Sequence, residues 1–524
     1  MPYLPTRLRP AMTAVAVPLL LLAGACSPST SDTSQSAKAS TKTPGGLARF
    51  YDQDLAFGSC KGYGTTPADE KAFADPDLQC ARLDVPLDYS EPAGRKGQIA
   101  VLRDPARGQS KGPLLLNSGG PGGTGQNFAA QTGTALAKSP VTESFDLVGF
   151  DPRGVGASKP AISCFSEEDY LAGEVRTELV LTAGRFTEED TERLVDKCAR
   201  GSGGVQNLGS VSTRDTVRDM DILRSALGGK KLNFLGQSYG TRIGALYAEQ
   251  YPGNVRSMVL DGAVDPHLGS ERRLSQYSGF QRSFDKMAEA CAAGKDCPLG
   301  TDPKQATEKF QKIARPLLEK PLTYGQGMRF TYNDLMDAVI SGLYYQAVWP
   351  KITKGIAEVR SGNPEQLLAI SAAFSGRGPD GSGSNFDVAN YAITCMDEAR
   401  MTPEQAVEMR GRTYRAAPFV DPGTGTEGAR DTCEFWPAEP KTTYPFPDRV
   451  DGLPATLTIS ITGDPSTPHQ AGVNLAETLD GSLLTVKGEQ HTIAASGVNA
   501  CVNKAVADYL IHLRTPSEST TCTL

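Results

Sequence analysis

The sequence predicts an α/β protein in which a mostly parallel sheet with flanking helices is interrupted by one largely helical insertion. From about residue 80, short apolar segments alternate with segments whose apolar residues recur at helical spacing. This alternation is typical of parallel strands joined by covering helices. It stops near residue 266 and resumes near residue 456, with helical patterns and no series of strands in between. One sheet domain divided by a helical cap is the simplest organisation.

Seven segments are predicted as strands because short apolar runs are bounded there by turn-forming residues. They are Ile99–Arg103, Pro113–Asn117, Asp146–Phe150, Leu232–Leu235, Ser257–Asp261, Thr456–Ile461 and Leu483–Lys487. Apolar residues on one face predict a helix over Ser212–Leu227, and a second helix is predicted over Gly240–Gln250.

Composition and charge exclude some classes of function. The chain has 524 residues, 39% of them hydrophobic and 22% charged, which suits a large buried core. The 53 basic and 60 acidic residues give a net charge of −7, and the basic residues form no block. A nucleic-acid-binding protein needs clustered positive charge, so we expect no nucleic-acid partner.

The amino terminus predicts export. In residues 1–25, Arg7 and Arg9 precede the apolar run Met12–Leu22, which is too short to span a bilayer comfortably and indicates a cleaved signal peptide. The small residues Ala23-Gly-Ala25 then precede Cys26. Two interpretations remain open: lipidation of Cys26 in a bacterial lipobox-like motif, or ordinary cleavage after Ala25. The protein would then be a membrane lipoprotein on the outer face, or freely secreted.

The remaining chain is divided by composition. Residues 26–48 are rich in Ser and Thr and predict a flexible tether. Residues 49–265 and 441–524 are assigned to the two parts of the sheet domain. Residues 266–440 are assigned to the helical insertion, which contains a Gly/Ser-rich loop at Ser375–Ser384. Nothing predicts a partner subunit, and a monomer is expected.

The eleven cysteines also indicate an oxidising compartment. Setting Cys26 aside leaves ten, enough for five disulfides. Pairing sequence neighbours joins Cys60 with Cys80, Cys164 with Cys198, Cys291 with Cys297, Cys395 with Cys433, and Cys501 with Cys522, although the sequence leaves other connectivities open. No CxxC pair or histidine cluster accompanies them, so neither a metal nor another cofactor is expected.

Ser238 is the candidate nucleophile. Gly236-Gln-Ser-Tyr-Gly240 fits the G-x-S-x-G pattern and lies between a predicted strand and a predicted helix, where a sharp turn exposes the serine. The amino end of that helix favours a developing negative charge. The pattern alone is weak in a chain with 55 glycines, and a buried serine in an ordinary turn is the alternative.

A serine hydroxyl needs a general base, and the chain has four histidines. His491 follows the last predicted strand and is the candidate. His469 is expected to be a surface residue or a neighbour of the site, His267 begins the insertion, and His512 lies in a C-terminal helical pattern.

The candidate acid is Asp464, which follows the strand Thr456–Ile461 and precedes His491. The order serine, acid, histidine is the one expected for the α/β-hydrolase fold. Gly-Asp-Pro is also an ordinary turn sequence, so Asp261, at the end of another strand, remains the main alternative. Glu489 is too close to His491 in sequence to be preferred.

A glycine-rich loop at residues 116–123 is predicted to help bind the oxyanion of the tetrahedral intermediate through backbone N–H groups. One donor is assigned to Gly119 or Gly120 and the other to Tyr239, which follows the nucleophile. The alternative is a phosphate-binding loop, but the Lys-Ser/Thr of a P-loop is missing.

Taken together, several motifs resemble one family. They are Asn117-Ser-Gly-Gly-Pro-Gly-Gly, Asp151-Pro-Arg-Gly-Val-Gly-Ala-Ser158, Gly236-Gln-Ser-Tyr-Gly-Thr241, Val259-Leu-Asp-Gly262, and Gly463-Asp464 with His491. The chain from about residue 50 to its end resembles the secreted tripeptidyl aminopeptidases of actinobacteria, α/β hydrolases related to prolyl aminopeptidases. Residues 80–89 resemble that family's entry strand, and Ser118 departs from its Pro or His.

The resemblance implies an exopeptidase that acts on short peptides. Such an enzyme must bind the substrate's ammonium group, and a buried ammonium needs a carboxylate partner. Asp397 or Glu398, in a segment resembling the family's cap, is the candidate, with a solvated acidic pair as the alternative. An ester hydrolase of the same fold and a non-catalytic peptide-binding lipoprotein remain alternative functions.

Overall fold

A nine-stranded sheet runs through the protein, and hydrophobic cores form on both of its faces. The computed structural model describes residues 46–166, 168–169, 187–325, 327–376, 383–441 and 446–524. The strands are β1 Gln79–Pro86, β2 Lys96–Asp104, β3 Pro113–Asn117, β4 Asp146–Phe150, β5 Leu232–Gln237, β6 Val255–Asp261, β7 Leu322–Tyr324, β8 Met328–Phe330, β9 Leu457–Ile461, β10 Ser482–Lys487 and β11 Thr521–Thr523.

Within the sheet the order is β1-β2-β4-β3-β5-β6-β9-β10-β11. β2 is antiparallel to both β1 and β4, and every other neighbouring pair is parallel. The seven predicted strands are confirmed, with ends that differ by three residues or fewer. β11 was not predicted, because a three-residue polar segment carries no apolar pattern.

Helices cover the sheet and build the insertion. They are α1 Ala48–Tyr51, α2 Pro67–Ala72, α3 Gly125–Ala135, α4 Pro140–Ser144, α5 Glu188–Gly201, α6 Val205–Leu208, α7 Thr213–Ala226, α8 Tyr239–Gln250, α9 Glu271–Ala292, α10 Ala306–Ala314, α11 Tyr332–Leu343, α12 Trp349–Val359, α13 Glu365–Ser375, α14 Phe386–Asp397, α15 Pro403–Ala416, α16 His469–Thr478 and α17 Ala500–His512. Within the described residues, short 3₁₀ helices lie at Pro252–Asn254, Pro303–Gln305, Arg315–Leu318, Gln346–Val348 and Pro418–Val420.

Side chains of the central strands alternate between the two cores. Leu115 and Val148 pack in the core that contains α7 and α8, whereas Leu114, Leu116 and Leu147 pack in the core that contains α17. Both faces of these strands are therefore covered, which is typical of a parallel sheet. The carboxyl ends of the parallel strands consequently meet at one edge, where connecting loops can assemble a site.

The insertion has a hydrophobic core of its own. Phe284 stacks on Phe419 with ring centroids 4.9 Å apart, and Phe310 packs 5.3 Å from Phe284. The insertion is mostly helical, but β7 and β8 form a short antiparallel hairpin that the helical pattern did not predict. Of the predicted loop at Ser375–Ser384, residues 377–382 lie outside the described residues.

At the amino terminus, the predicted signal peptide and Cys26 lie outside the described residues. The predicted tether over residues 26–48 extends too far. Leu47 is only 8% exposed and packs in a core, and α1 begins at Ala48. The sequence pattern missed this because one apolar residue at the end of a polar tract gives no periodic signal.

All five predicted disulfides are confirmed: Cys60 with Cys80, Cys164 with Cys198, Cys291 with Cys297, Cys395 with Cys433, and Cys501 with Cys522. In the part of the chain that the structure describes, no helix is long and apolar enough to cross a membrane. Nor do the described residues include a group of three or more His, Cys, Asp or Glu side chains suited to a metal ion.

Candidate active site

Ser238 lies at a sharp turn between β5 and α8. Its backbone has φ of 55° and ψ of −125°, a conformation that costs free energy for a residue with a side chain. The flanking glycines are needed because a Cβ at Gly236 would lie 2.5 Å from the carbonyl oxygen of Gly240. The Ser238 N–H donates to the carbonyl oxygen of Asp261 at 2.9 Å. The turn is therefore held by the neighbouring strand β6.

His491 and Asp464 form a buried pair. His491 Nδ1 lies 2.9 Å from Oδ1 and 2.8 Å from Oδ2 of Asp464. The carboxylate is fully buried and also accepts hydrogen bonds from Ser466 N, Thr467 N and Thr467 Oγ1. These donors hold the carboxylate oxygens against Nδ1, and because a carboxylate oxygen accepts a hydrogen bond, the imidazole tautomer with its proton on Nδ1 is favoured. Nε2 is then available as a proton acceptor.

The structure places the Ser238 turn close to this imidazole. A Cβ at Gly262 would lie 3.2 Å from Cε1 of His491, and Gly262 directly follows Asp261, whose carbonyl oxygen binds the Ser238 N–H. His491 Nε2 is buried and makes no hydrogen bond within the described structure. The Ser238–His491 hydrogen bond is thus not formed in this state. Catalytic hydrogen bonds are often long without substrate and tighten when it binds.

Asp261, the alternative acid, has a different environment. Its Oδ2 accepts hydrogen bonds from Ile493 N at 2.6 Å, Ala494 N at 2.7 Å and Gln237 Nε2 at 2.8 Å. Burial raises the pKa of this carboxyl above its ordinary value. Its carboxylate is bound to the backbone that follows His491, whereas the imidazole itself is bound by Asp464. Asp261 therefore connects the serine turn to the histidine loop.

Within the described residues, none of the other predicted alternatives hydrogen-bonds the imidazole. Glu489 pairs with Arg282 at 3.1 Å. His469 begins α16 with Nδ1 2.9 Å from Ser460 Oγ, and burial lowers its pKa. His267 Nε2 lies 3.0 Å from Thr478 Oγ1. His512 is the last residue of α17.

The glycine-rich loop packs against the serine turn. A Cβ at Gly119 would lie 2.9 Å from Cβ of Ser238 and 3.0 Å from the nitrogen of Tyr239. The Gly119 N–H, however, already donates to Asn117 Oδ1 at 2.9 Å. Because the Gly119 N–H is already bound, Gly120 is the better of the two predicted candidates for the oxyanion donor. Gly120 lines the same cleft as Ser238 and Tyr239.

This cleft of about 570 Å³ lies between the sheet and the insertion, and charged residues line it. Asp397, at the end of α14, contributes to the lining and is 1% exposed. Its carboxylate accepts hydrogen bonds from the N–H of Thr213, at 2.9 Å, and from the Thr213 hydroxyl. Arg242 and Arg272 lie in the same lining.

Glu398 is not suited to the predicted role of binding an amine. Arg272 donates to its carboxylate, and guanidinium nitrogens of Arg273 and Arg242 lie 3.8 and 4.0 Å from it. Burial acts to raise the pKa of Glu398, but the three arginines outweigh burial and lower the pKa below its ordinary value. An ammonium group would have to displace a guanidinium there. Of the predicted pair, Asp397 remains the candidate.

Sequence reasoning missed two neighbours of the imidazole. Thr467 hydrogen-bonds Asp464, and its hydroxyl lies 3.3 Å from His491 Nδ1. The spacing Asp-x-x-Thr is typical of a carboxylate-capped turn and could have indicated this contact. The second neighbour is Tyr344, whose backbone carbonyl oxygen accepts a hydrogen bond from the backbone N–H of His491 at 2.8 Å. No local pattern marks Tyr344, which lies 147 positions before the histidine in the sequence.

Comparison with known families decides the class. The model of a family described as having the alpha/beta hydrolase fold matches residues 112–494, which include Ser238, Asp464 and His491. This chain belongs to the α/β-hydrolase family.

Three relatives cover most of this hydrolase. It is 38% identical over 455 residues to the serine protease Hip1 of Mycobacterium tuberculosis, covering 84% of this chain and 87% of the relative. It is 35% identical over 450 residues to carboxylesterase B of the same organism, covering 85% and 86%. It is 29% identical over 460 residues to tripeptidyl aminopeptidase of Streptomyces lividans, covering 85% and 83%.

Proposed function

We propose that this hydrolase is an exported serine exopeptidase that releases short peptides, chiefly tripeptides, from free amino termini. The observation that carries the proposal is the buried Asp464–His491 pair beside a serine held at positive φ. Two relatives named as a serine protease and a tripeptidyl aminopeptidase support a peptide substrate. The aminopeptidase supports the exopeptidase specificity.

In the reaction, Ser238 Oγ attacks the scissile carbonyl while His491 Nε2 accepts the hydroxyl proton. Asp464 holds the Nδ1 proton and stabilises the imidazolium that forms. The N–H groups of Gly120 and Tyr239 donate to the oxyanion. The imidazolium then protonates the departing amine, and an acyl-enzyme remains on Ser238. Water, activated by His491, releases the acyl peptide.

Asp397 is proposed to bind the free amino terminus. Its carboxylate is buried in the lining of the cleft that contains Ser238, and a carboxylate is the partner that a buried ammonium group needs. Burial excludes water, so the ion pair would be stronger than an exposed one. A substrate with a blocked amino terminus would leave this carboxylate without its partner.

Export is part of the proposal. The five disulfides support an oxidising compartment outside the cytoplasm. Residues 1–25 would be the signal peptide, and Cys26 would carry the lipid if the protein is anchored. The mass of the mature amino terminus tests both points. A lipidated Cys26 indicates the anchored form, an unmodified terminus after Ala25 indicates secretion, and an intact Met1 contradicts export.

The specificity is tested with a peptide library whose members carry either free or acetylated amino termini. We expect mass spectrometry to detect tripeptides released from the free termini, and at least tenfold slower cleavage of the acetylated peptides. Asp397→Asn should reduce that preference about tenfold, because a buried ion pair contributes on the order of 1–3 kcal/mol. Glu398→Gln is the matched control and should largely retain it. Cleavage that ignores the amino terminus would contradict the proposal.

A carboxylic-ester hydrolase is the second candidate, which the carboxylesterase relative favours. The same Ser-His-Asp arrangement cleaves esters, so the fold alone does not separate the two activities. Turnover of a tripeptide amide and of the ester with the same acyl group separates them. A non-catalytic binding protein is tested by a fluorophosphonate probe, which should label the wild-type protein and leave Ser238→Ala unlabelled.

A further inference from the structure

A row of aromatic side chains of the insertion begins directly against the candidate histidine. The ring of Tyr344 packs edge-on against the His491 imidazole with centroids 5.1 Å apart. Phe374 lies 4.7 Å from Tyr344, and Phe386 lies 6.0 Å from Phe374. Tyr345 pairs with the backbone of Gln490, beside the histidine. We call Tyr344, Tyr345, Phe374 and Phe386 the aromatic strip.

The strip extends from the imidazole to the glycine-rich loop that carries Gly120. At its far end, a Cβ at Gly120 would lie 3.1 Å from Cε2 of Phe386. The strip therefore spans the two groups between which a tetrahedral intermediate would lie, the imidazole and the Gly120 N–H. The residues that line the charged cleft are a different set, which contains Arg242, Arg272 and Asp397.

Part of the strip is exposed to solvent. Tyr345 is 40% and Phe374 37% exposed, and they are the two aromatic residues among the large hydrophobic side chains that the described structure exposes. Exposed aromatic groups next to a catalytic centre are typical of a ligand-binding surface, because their burial by a ligand is favourable. Three rings that contact one another in a row offer a continuous apolar surface.

The chemistry of the proposed reaction decides which part of a substrate meets this surface. The imidazolium must give its proton to the leaving nitrogen, so the leaving group lies against the imidazole. The acyl part, with its ammonium group, would occupy the charged cleft that contains Asp397. We infer that the aromatic strip is the leaving-group subsite and binds an apolar, preferably aromatic, side chain on the residue directly after the scissile bond. This inference rests on the proposed function.

The test compares two amidated peptides that share Ala-Pro-Ala before the scissile bond and carry either Phe or Gly after it. For the wild-type enzyme we expect kcat/KM to favour the Phe peptide about tenfold or more, the usual effect of burying an apolar side chain. Phe374→Ser should reduce this ratio to about threefold or less, mainly through KM. Phe374→Leu keeps an apolar side chain and should retain most of the ratio.

Val205→Ser is the matched control, because Val205 is 46% exposed and lies outside the strip. This variant should keep the wild-type ratio, and fluorophosphonate labelling verifies that each variant is folded. A wild-type ratio near one, or an equal ratio in wild type and Phe374→Ser, overturns the inference. If no peptide is cleaved, the peptidase proposal fails. In that case, phenethyl and methyl esters of one acyl group replace the Phe and Gly peptides. A ratio of kcat/KM near one in wild type, or an equal ratio in wild type and Phe374→Ser, again overturns the inference.

Discussion

Exchanging Asp464 for asparagine tests the candidate site most directly. The asparagine side chain would keep one oxygen for the backbone donors of Ser466 and Thr467, which now bind Oδ1 at 2.8 Å. Its amide nitrogen would take the place of Oδ2, which lies 2.8 Å from His491 Nδ1. Two N–H donors cannot face each other, so the imidazole would carry its proton on Nε2 instead. Nε2 could then no longer accept the Ser238 proton.

The expected loss of activity follows from this tautomer change. The corresponding exchange in a serine protease triad lowers kcat about 10⁴-fold. At about 1.4 kcal/mol for each factor of ten, the activation free energy would rise by roughly 5 kcal/mol. The cost in folding stability should be smaller, about 1–3 kcal/mol, because both backbone donors keep an acceptor.

The rate of labelling by a fluorophosphonate probe measures the effect without assuming a substrate. Asp261→Asn is the matched control, since that carboxylate binds Ile493 N, Ala494 N and Gln237 Nε2. We expect it to lower the labelling rate by less than about tenfold. The assignment would be refuted if Asp261→Asn lowered the labelling rate about 10³-fold or more while Asp464→Asn left the rate nearly unchanged. Asp261 would then be the acid.

Three further outcomes are expected. Gly262→Ala should slow labelling at least about tenfold with little change in circular dichroism, because its Cβ would lie 3.2 Å from His491 Cε1 at φ of +68°; an unchanged rate would contradict the described packing. Burial raises the pKa of Asp151 to about 6, above its value of about 4 in the unfolded chain. The folded protein thus favours protonated Asp151 more than the unfolded chain does. This contribution to the free energy of unfolding is fully present below about pH 4 and is lost as the pH rises through 6. Urea titrations should therefore show that the unfolding free energy of Asp151→Asn, measured relative to that of wild type, rises by up to about 3 kcal/mol between pH 4 and 7. The same pH dependence in both proteins would contradict this. Replacing Cys501 and Cys522 together by serine opens a disulfide of sequence separation 21, which should cost about 3 kcal/mol in the same assay and leave labelling unaffected.

The sequence predicted the sheet well because its signals are local. Pro113–Asn117 and Asp146–Phe150, for example, are apolar runs with turn-forming residues on either side. Both strands have the predicted first and last residues in the structure. Pairing cysteines with their neighbours also succeeded, because each pair joins segments that adjacent elements bring together. The hairpin β7–β8 and strand β11 were missed, since three-residue strands have too short a pattern to detect.

Within the candidate site, sequence order selected Ser238, Asp464 and His491, and the structure joins the last two through hydrogen bonds. The choice between Gly119 and Gly120 could not be made from sequence, because it depends on where the Asn117 amide points. Asp397 and Glu398 were both candidates because they lie together in the segment that resembles the family's cap. Only packing shows that arginines from α8 and α9 occupy one carboxylate of the pair.

Local sequence was sufficient to predict the longer strands of the sheet and the position of the nucleophile turn, since both depend on neighbouring residues and on the pattern of apolar positions. The surroundings of the imidazole depended on tertiary structure. Tyr344 reaches His491, Phe386 reaches the glycine-rich loop at Gly120, and Phe374 lies between these two rings, only because the insertion folds back over the sheet edge. Contacts between residues more than a hundred positions apart are selected by the packing of whole elements, and no periodicity within one element records them.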